Sequence, residues 1–253
     1  MYDEKLAFYY DMMYAGKDYQ KEAQFVGDLL AEGGTVTKLL DVGCGTAEHL
    51  RFMAQADRSL RIVGVDHSLP MIVCAQEKEE LSLQATFIHG DITAVEGFDF
   101  DGAISMFNVI NHIDTLFELQ EFFANIRQKI KLGSRFVFDC WNGIAATRSS
   151  PRKDARIKAL TAGKQIVVEY KPDIDLMNST VNMLNQVRVI DMKGNILDEF
   201  NYELLHTLWT PKVLNEVLSL SGFNVVGIYK GSYEERVKAD HDDYKIIFAT
   251  EAV

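Results

Sequence analysis

The sequence predicts an α/β fold in which a doubly wound sheet of seven strands carries an antiparallel β insert. Up to about residue 150, short apolar runs alternate with helical segments. Strands this apolar are typical of a parallel sheet covered on both faces. Beyond residue 150, runs rich in β-branched and aromatic residues follow one another. We therefore expect one α/β domain formed by residues 1–150 and 211–253, with an insert over residues 151–210.

In the first part of the chain, each expected strand is a short apolar run and each expected helix repeats its apolar residues at helical spacing. A helical segment is expected over residues 3–32, and Gly33 and Gly34 end it. Strands are then expected at residues 38–42, 61–66, 85–91, 100–107 and 134–141. Helices are expected at residues 46–56, 70–81 and 115–130, the last with an apolar face of Leu116, Leu119, Phe122, Phe123, Ile126 and Ile130.

The second part begins with a polar stretch, residues 148–158, that predicts a loop. Three β runs follow, with a hairpin turn before the last of them, at residues 165–170, 179–192 and 196–209. The role of this insert stays open between a structural flap and a lid or dimer surface. A helix from Pro211 to about Ser221 and strands at residues 223–229 and 244–250 complete the chain.

Composition limits the function classes. The 253 residues are 47% hydrophobic and carry a net charge of −11, so the surface as a whole repels phosphate backbones and anionic membranes. We expect no nucleic-acid or membrane partner, and no apolar run reaches the roughly 20 residues that a membrane span needs. The cysteines are Cys44, Cys74 and Cys140, without a C-x-x-C pair, which indicates a reduced, cytoplasmic protein without a metal site.

A glycine turn after the first strand is the most informative motif. Asp41 ends the strand, Gly43 and Gly45 follow, and a helix begins after them. Such a turn lets a ligand approach the backbone and the helix N-terminus closely. Dinucleotide enzymes use the same turn, but their fingerprint needs a small residue where this chain has Glu48. A carboxylate at Asp41 would repel a pyrophosphate and suits a ligand with a positive end.

Two further acids follow the next two strands. Asp66 stands about 20–25 residues beyond the turn, where doubly wound sheets place an acid that binds a ribose diol. Asp91 follows the third strand and can accept a hydrogen bond from an exocyclic amine such as that of adenine. The alternative for each acid is a helix N-cap or a loop carboxylate. Together the three acids outline a ligand with a cationic amino-acid end, a ribose and an adenine.

These motifs resemble those of the class I S-adenosylmethionine-dependent methyltransferases, which have a Rossmann-like sheet. The matching segments are Asp41-Val-Gly43-Cys-Gly45-Thr46, Asp66-His-Ser68-Leu-Pro-Met71, Asp91 and residues 100–113. Ala47 replaces a glycine found in many members, and we expect binding to survive because alanine is small. The resemblance implies S-adenosylmethionine as the cofactor, with Asp41, Gly43 and Gly45 at its methionyl end. The residues expected to bind it are Tyr10, Tyr19, Asp41, Gly43, Cys44, Gly45, Thr46, His49, Asp66, His67, Met71, Asp91, Ile92, Met106 and Phe107.

The segment after the fourth strand contains the candidates for the reacting end of the site. An amine or hydroxyl nucleophile must lose a proton before or during attack on a methyl group. His112 is the candidate proton acceptor or substrate orienter, because a neutral imidazole titrates in the right range. The alternative is that His112 caps the following helix or packs beneath it. Asn108 and Asn111 are the neighbouring candidates for binding the substrate.

A narrower resemblance concerns residues 106–113, MFNVINHI, which are similar to a segment of antibiotic-pathway amino-sugar N,N-dimethyltransferases of the desosamine and mycaminose type. The N-terminal YYDMMYAGKDYQKEA and the later LLHTLWTPKVLNEVLSLSGF resemble the same enzymes. The resemblance implies that His112 lies beside the acceptor amine, that Tyr2 faces the active site and that Trp141 belongs to the substrate pocket. The chain departs from that family at Trp141-Asn142, where the family has a tryptophan pair.

The sequence thus predicts a methyltransferase for a small polar acceptor, with N-methylation of an amino sugar, possibly a nucleotide-linked one, as the favoured reaction. Alternatives are O-methylation of a small acid or alcohol, and a cofactor-binding subunit without turnover. A nicotinamide oxidoreductase is the weakest alternative, because Glu48 breaks the dinucleotide fingerprint. The expected partners are the small-molecule acceptor and a second copy of the chain, bound through the β insert.

Overall fold

In a computed structural model of the chain, residues 3–148, 154–160 and 164–253 are described, the middle range by its backbone alone. The helices are α1 Glu4–Met13, α2 Tyr19–Ala31, α3 Glu48–Ala56, α4 Leu69–Gln76, α5 Leu116–Lys129, α6 Gly143–Arg148 and α7 Pro211–Leu220. The strands are β1 Lys38–Val42, β2 Arg61–Asp66, β3 Ala85–His89, β4 Phe100–Ser105, β5 Ile130–Trp141, β6 Asp154–Leu160, β7 Lys164–Asp175, β8 Thr180–Asp191, β9 Ile196–Thr207, β10 Phe223–Lys230 and β11 Lys245–Ala252.

The central sheet has seven strands in the order β10-β11-β5-β4-β1-β2-β3. The strands from β1 to β5 pair in parallel, whereas β11 is antiparallel to both β5 and β10. The predicted α/β fold with a doubly wound, seven-stranded sheet is confirmed. The strand order reverses between β1 and β4, and open α/β sheets bind ligands at such a switch point, beyond the carboxyl ends of the strands.

Aromatic side chains fill the core beneath the sheet. The rings of Phe138 and Phe248 lie parallel with their centroids 4.9 Å apart, and Phe123 of α5 packs against Phe138. Helix α5 begins at a capping box, in which Thr115 and Glu118 bond each other's backbone N–H groups. The apolar face of α5 is narrower than predicted: Leu116, in the first turn, is 55% exposed.

The N-terminal segment is helical, as predicted for residues 3–32, but it forms two helices separated by a turn. The side chain of Asp18 accepts the backbone N–H of Lys21 and starts α2 anew, after a turn that contains Gly16. The break lets the two helices pack on different sheets. Leu6 and Met13 of α1 pack against β7 and β8, while the buried residues of α2 join the core of the central sheet.

The insert is a four-stranded antiparallel sheet in the order β6-β7-β8-β9. The predicted hairpin at residues 193–195 is present, and Asp191 Oδ1 accepts the N–H groups of Lys193 and Asn195. The prediction of a loop over residues 148–158 is wrong from Asp154 onwards, because this stretch forms a hydrogen-bonded ladder with β7. Across the described ranges, no helix has the length and apolar character to cross a membrane.

Candidate active site

A cleft of about 390 Å³ opens at the carboxyl edge of β1, β2 and β4. The predicted site residues that line it are Tyr10, Tyr19, Asp41, Gly43, Cys44, Gly45, Thr46, His49, Asp66, His67, Met71, Met106, Phe107 and His112. The cleft is also lined by residues that the sequence analysis did not select, which are Glu48, Ser68, Val109, Glu203, Leu204 and Leu205. The α1 helix, the glycine turn and the last strand of the insert therefore meet around one space.

The glycine turn folds back against β2. The N–H groups of Gly43 and Cys44 both donate to the carbonyl of Val65, at 2.8 and 3.1 Å. Gly43 has φ +78°, and a Cβ there would lie 2.6 Å from a methyl carbon of Val109. Ala47 caps α3 with φ 63°, a left-handed conformation that glycine adopts more easily. Burial raises the pKa of the Cys44 thiol well above its usual range.

Asp41 is a buried acid in the wall of the cleft, and one of its carboxyl oxygens is unsatisfied. The residue is 2% exposed, and its Oδ1 has no hydrogen-bond partner. Burial, followed by the nearby charge of Asp66, raises the pKa of this carboxyl well above its usual range. A buried anion without a partner is costly, and a cation within the cleft would satisfy it. The site therefore fits the ammonium group at the amino-acid end of S-adenosylmethionine.

Asp66 is fixed by backbone groups on both of its oxygens. Oδ2 accepts the N–H of Gly45 and Oδ1 accepts that of Ser68, each at 2.8 Å. Burial raises the pKa of the carboxyl, and these two bonds oppose the rise. Since a carboxylate oxygen can accept more than one hydrogen bond, Asp66 keeps the capacity to take a ribose diol. The ribose role remains a prediction, and the geometry is compatible with it.

A charge cluster lies behind His49 in the cleft wall. The His49 Nε2 atom is 2.9 Å from the Glu22 carboxylate and 3.3 Å from the ammonium of Lys17. Burial lowers the pKa of His49. Burial alone would raise the pKa of Glu22, but the bond with His49 and the ammonium groups of Lys245 and Lys17 lower it to about 2. His49 thus belongs to a paired network as well as to the cleft.

A second buried network holds the segment that leaves β4. Asp139 is fully buried and accepts from the Lys245 ammonium at 2.6 Å, the Tyr233 hydroxyl at 2.7 Å and the backbone N–H of Asn108 at 2.6 Å. Phe107 and Asn108 both adopt left-handed backbone conformations, with φ 70° and 63°. Asp139 therefore anchors a strained bend that places Phe107 in the cleft. This network was not predicted. Its sequence signal is one charged residue in each of two otherwise apolar strands, Asp139 in β5 and Lys245 in β11.

Helix α1 is tied to the glycine turn across the mouth of the cleft. The Asp11 carboxylate bonds the Thr46 hydroxyl with one oxygen and the Lys78 ammonium, at 2.9 Å, with the other. Lys78 also pairs with Glu48 at 2.7 Å, and Arg51 contacts the same carboxylate. Glu48 is therefore half-buried between two cations.

Some predicted residues do not reach the cleft. Asn111 is fully buried, where its Nδ2 donates to the Thr207 carbonyl and its Oδ1 accepts the N–H of Trp141, each at 2.8 Å. Its predicted substrate role is therefore wrong, because both ends of the amide connect strands. Asn108 lies outside the lining, and its Oδ1 is buried. Trp141 lies outside it too, between the rings of His206 and Tyr244.

Three other expectations concern residues at or beyond the edges of the cleft. Asp91 is exposed and accepts the N–H and hydroxyl of Thr93, which is the N-cap alternative for this acid. Its contact with adenine stays a prediction. The side chain of Ile92 packs in the core rather than along the cleft, so it can serve a ligand only through its backbone. Tyr2 lies outside the described residues.

The reacting end of the cleft combines His112 with the end of β9. His112 is open to the cleft, yet protein surrounds the rest of its ring, and this burial lowers its pKa while a hydrogen bond with the Leu205 backbone opposes the change. Glu203 lines the same region and accepts from Asn182 Nδ2 at 3.1 Å. No sequence motif marked Glu203, because only the fold brings β9 beside the turn that holds His112.

Comparison with known proteins agrees with this geometry. A family described as a methyltransferase domain matches residues 39–133. Over these residues the chain is similar to methyltransferase domains. Among curated proteins, the dTDP-3-amino-3,4,6-trideoxy-alpha-D-glucopyranose N,N-dimethyltransferase of Streptomyces venezuelae is 30% identical over 145 residues, which are 56% of this chain and 59% of that protein. This chain spans little more than half the length of the curated relatives that it matches first.

Solved structures extend the similarity in fold beyond the methyltransferase domain. A S-adenosylmethionine-dependent methyltransferase from Clostridium acetobutylicum superposes with a TM-score of 0.80 at 18% identity, covering 97% of this chain and 96% of that one. DesVI of Streptomyces venezuelae superposes with a TM-score of 0.79 at 22% identity, covering 96% and 97%. The predicted resemblance to the class I S-adenosylmethionine-dependent methyltransferases is confirmed, in sequence over residues 39–133 and in fold over nearly the whole chain.

Proposed function

We propose that this protein transfers a methyl group from S-adenosylmethionine to the amine of a small amino sugar. The observation that carries the proposal is the carboxylate of Asp41, which is buried beside the glycine turn with one oxygen unpartnered. An ammonium group is the partner that this position lacks, and Asp66 lies next along the cleft, with capacity for a ribose. When bound, the cofactor supplies a methyl group already activated by its sulfonium.

The charges at the reacting end support an amine as the acceptor. Among the described residues that line the cleft, none is a lysine or arginine, while Glu203 stands in the same region as His112. A carboxylate there attracts an ammonium or amine and disfavours an acidic acceptor, because like charges repel. A curated relative adds support, because the similar protein of Streptomyces venezuelae is named as an amino-sugar N,N-dimethyltransferase.

His112 provides the proton acceptor for this reaction. Burial lowers its pKa, so the ring is neutral at physiological pH and has a lone pair to offer. As the nitrogen of the acceptor amine bonds the methyl carbon, the methyl–sulfur bond would break with its electron pair left on sulfur, and the proton that the nitrogen loses passes to the imidazole of His112. The aromatic wall formed by Tyr10 and Phe107, whose ring centroids are 6.3 Å apart, excludes water from the reacting atoms.

The proposal is tested in two steps. Calorimetry should show that the protein binds S-adenosylmethionine and its demethylated product, and that Asp41→Asn binds both more weakly. A product assay by mass spectrometry then compares free amino sugars, dTDP-linked amino sugars and their hydroxyl analogues as acceptors. The proposal predicts a mass gain of one or two methyl groups on the amines. Methylation of the hydroxyl analogues alone would favour the O-methyltransferase alternative, and absence of cofactor binding would contradict the proposal.

A variant of Glu203 tests whether the charge of this residue makes the enzyme prefer amine acceptors. Glu203→Gln preserves the size of the side chain and its contact with Asn182 while removing its charge. We expect a higher KM for amine acceptors and unchanged binding of the cofactor, since Glu203 stands on β9 two residues before Leu205, whose backbone bonds His112 at the reacting end of the cleft. An equal loss with amines and hydroxyl analogues would argue against a charge-based preference for amines.

A further inference from the structure

A stack of three rings joins the insert to the reacting end of the cleft. The His206 ring lies against Trp141 on one side, with centroids 4.3 Å apart and planes 22° apart. On its other side it lies against His112, with centroids 4.6 Å apart. The three residues come from β9, from the end of β5 and from the turn after β4. His112 is the member of this stack that lines the cleft.

The same three elements are held together by hydrogen bonds between side chains and backbone groups. Asn111 bonds Thr207 of β9 with one end of its amide and Trp141 of β5 with the other. The indole N–H of Trp209 donates to the Ile110 carbonyl at 3.2 Å. The end of β9 and the turn at residues 109–112 therefore form one packed unit. Because the rings of His206 and His112 are in direct contact, replacing the His206 ring changes the surroundings of the His112 ring.

Each histidine of the stack is directed by a neighbouring backbone group of β9. His206 Nδ1 is 3.2 Å from the Leu204 carbonyl, and His112 bonds the backbone of Leu205. The latter bond favours the protonated ring, so His112 is its donor. A neutral imidazole that donates through one nitrogen carries its lone pair on the other. Burial, followed by the neighbouring His112, lowers the pKa of His206 to about 3, so His206 stays neutral.

We propose that His206 is a positioning residue, whose ring holds His112 in one orientation and one neutral tautomer so that its lone pair meets the acceptor's proton. The inference rests on the proposed function and deepens it, since it assigns part of the reacting end to the β insert. Among the described residues, polar groups near the stack include the Asn111 amide, which bonds Trp141, and Tyr244 next to β11, whose ring contacts Trp141, while Glu203 on β9 lines the same cleft as His112. His206 itself is not among the residues that line the cleft.

The test uses long-range proton–nitrogen NMR spectra of protein labelled with [15N]histidine, which distinguish the two neutral tautomers of each ring. The chain has six histidines, and the spectrum of His112→Gln identifies the signals of His112. Two variants are compared with the wild type. His206→Phe keeps a ring between Trp141 and His112, whereas His206→Ala removes it. His241→Ala, in an exposed ion-paired segment, is the control.

The wild type, His206→Phe and His241→Ala are expected to show His112 in a single neutral tautomer. In His206→Ala the nitrogen shifts of His112 are expected to move toward the average of the two tautomers, with unchanged affinity for S-adenosylhomocysteine. An unaltered His112 signal in His206→Ala would overturn the proposal, as would a mixed tautomer in His206→Phe if the alanine variant fails to fold. Failure of the wild type to bind S-adenosylhomocysteine would instead contradict the proposed function. The tautomer of His112 would still report whether His206 orients that ring.

Discussion

The carboxylate of Asp66 accepts the backbone N–H of Gly45 at 2.8 Å, so the acid that ends β2 holds the turn that follows β1. Its other oxygen accepts the N–H of Ser68 at the start of α4. One side chain therefore fixes two of the loops that form the floor of the cleft. This geometry explains why the spacing of about 20–25 residues between the turn and the acid is informative: it places both groups at the same edge of adjacent strands.

Asp66→Ala should weaken the binding of S-adenosylhomocysteine, because it removes both the expected ribose contacts and an anchor of the turn. A hydrogen bond to a charged group contributes about 1.5–3 kcal/mol, and the loss of one such bond alone lowers affinity roughly tenfold to a hundredfold, so we expect at least that loss. Calorimetric titration measures it. Asp175→Ala is the matched control, since Asp175 also accepts two backbone N–H groups, but in an exposed turn of the insert. Equal losses in both variants would contradict a specific role for Asp66.

Asp41→Asn should raise the stability of the ligand-free protein at neutral pH and lower its affinity for S-adenosylhomocysteine. The pKa of Asp41 is higher in the folded protein than in the unfolded chain. The folded state therefore loses stability as pH rises from the pKa of this carboxyl in the unfolded chain through its higher pKa in the folded protein. Asparagine does not titrate, and the variant without ligand should therefore be more stable than the wild type at neutral pH but not at acidic pH. Its affinity for S-adenosylhomocysteine should fall by about 2–5 kcal/mol, because the ammonium loses its charged partner.

Thermal unfolding curves at several pH values, with and without S-adenosylhomocysteine, check both parts of the Asp41 prediction. The variant is expected to show the higher Tm without ligand and the smaller increase in Tm with it. If the ligand raised the Tm of both proteins equally, Asp41 would not be the partner of the ligand's cationic end.

The ion pair of Asp139 and Lys245 should be important for stability because it is buried. Asp139→Asn leaves the Lys245 ammonium without its partner at 2.6 Å, and we expect a cost of about 3–5 kcal/mol in the free energy of unfolding. Lys212 and Glu216 form an exposed pair with the same 2.6 Å separation. Glu216→Gln should cost no more than about 0.5 kcal/mol. Denaturant unfolding measures both, and equal costs would show that burial is not the cause.

The rate of methyl transfer should depend on the protonation of His112. Burial lowers the pKa of this ring from its usual 6.5, so kcat at saturating cofactor and acceptor should rise with pH below that value and then level off. His112→Gln should lower kcat by about 10²- to 10⁴-fold and remove this acidic limb, while cofactor affinity is retained. A parallel loss of cofactor affinity and rate would indicate a structural histidine instead.

The local part of the site could be predicted from the sequence. Asp41, Gly43 and Gly45 follow one another at the end of an apolar run, and the geometry of a strand-to-helix turn fixes where they lie. The amphipathic repeat of α5 was equally clear because burial on one helix face imposes it. Such features depend on neighbours within a few residues, which the sequence displays directly.

The parts that depend on distant segments could not be predicted. Glu203 enters the cleft only because β9 of the insert packs beside the turn at residues 109–112. For the same reason Asn111 is a connection between strands and not a substrate ligand: its two partners, Thr207 and Trp141, are far away in the sequence. The break between α1 and α2 was not predicted, because apolar residues at helical spacing do not show where one helix ends and Asp18 caps the next.

The central claim is that the carboxyl edge of the sheet binds S-adenosylmethionine with its ammonium group at Asp41 and its ribose at Asp66. A crystal structure of the protein with S-adenosylhomocysteine tests it most directly. We expect the amino nitrogen of the ligand within hydrogen-bond distance of Asp41 Oδ1, and its ribose hydroxyls at the carboxylate of Asp66. A cleft that stays empty at saturating ligand, or a ligand bound away from these two acids, would contradict the account.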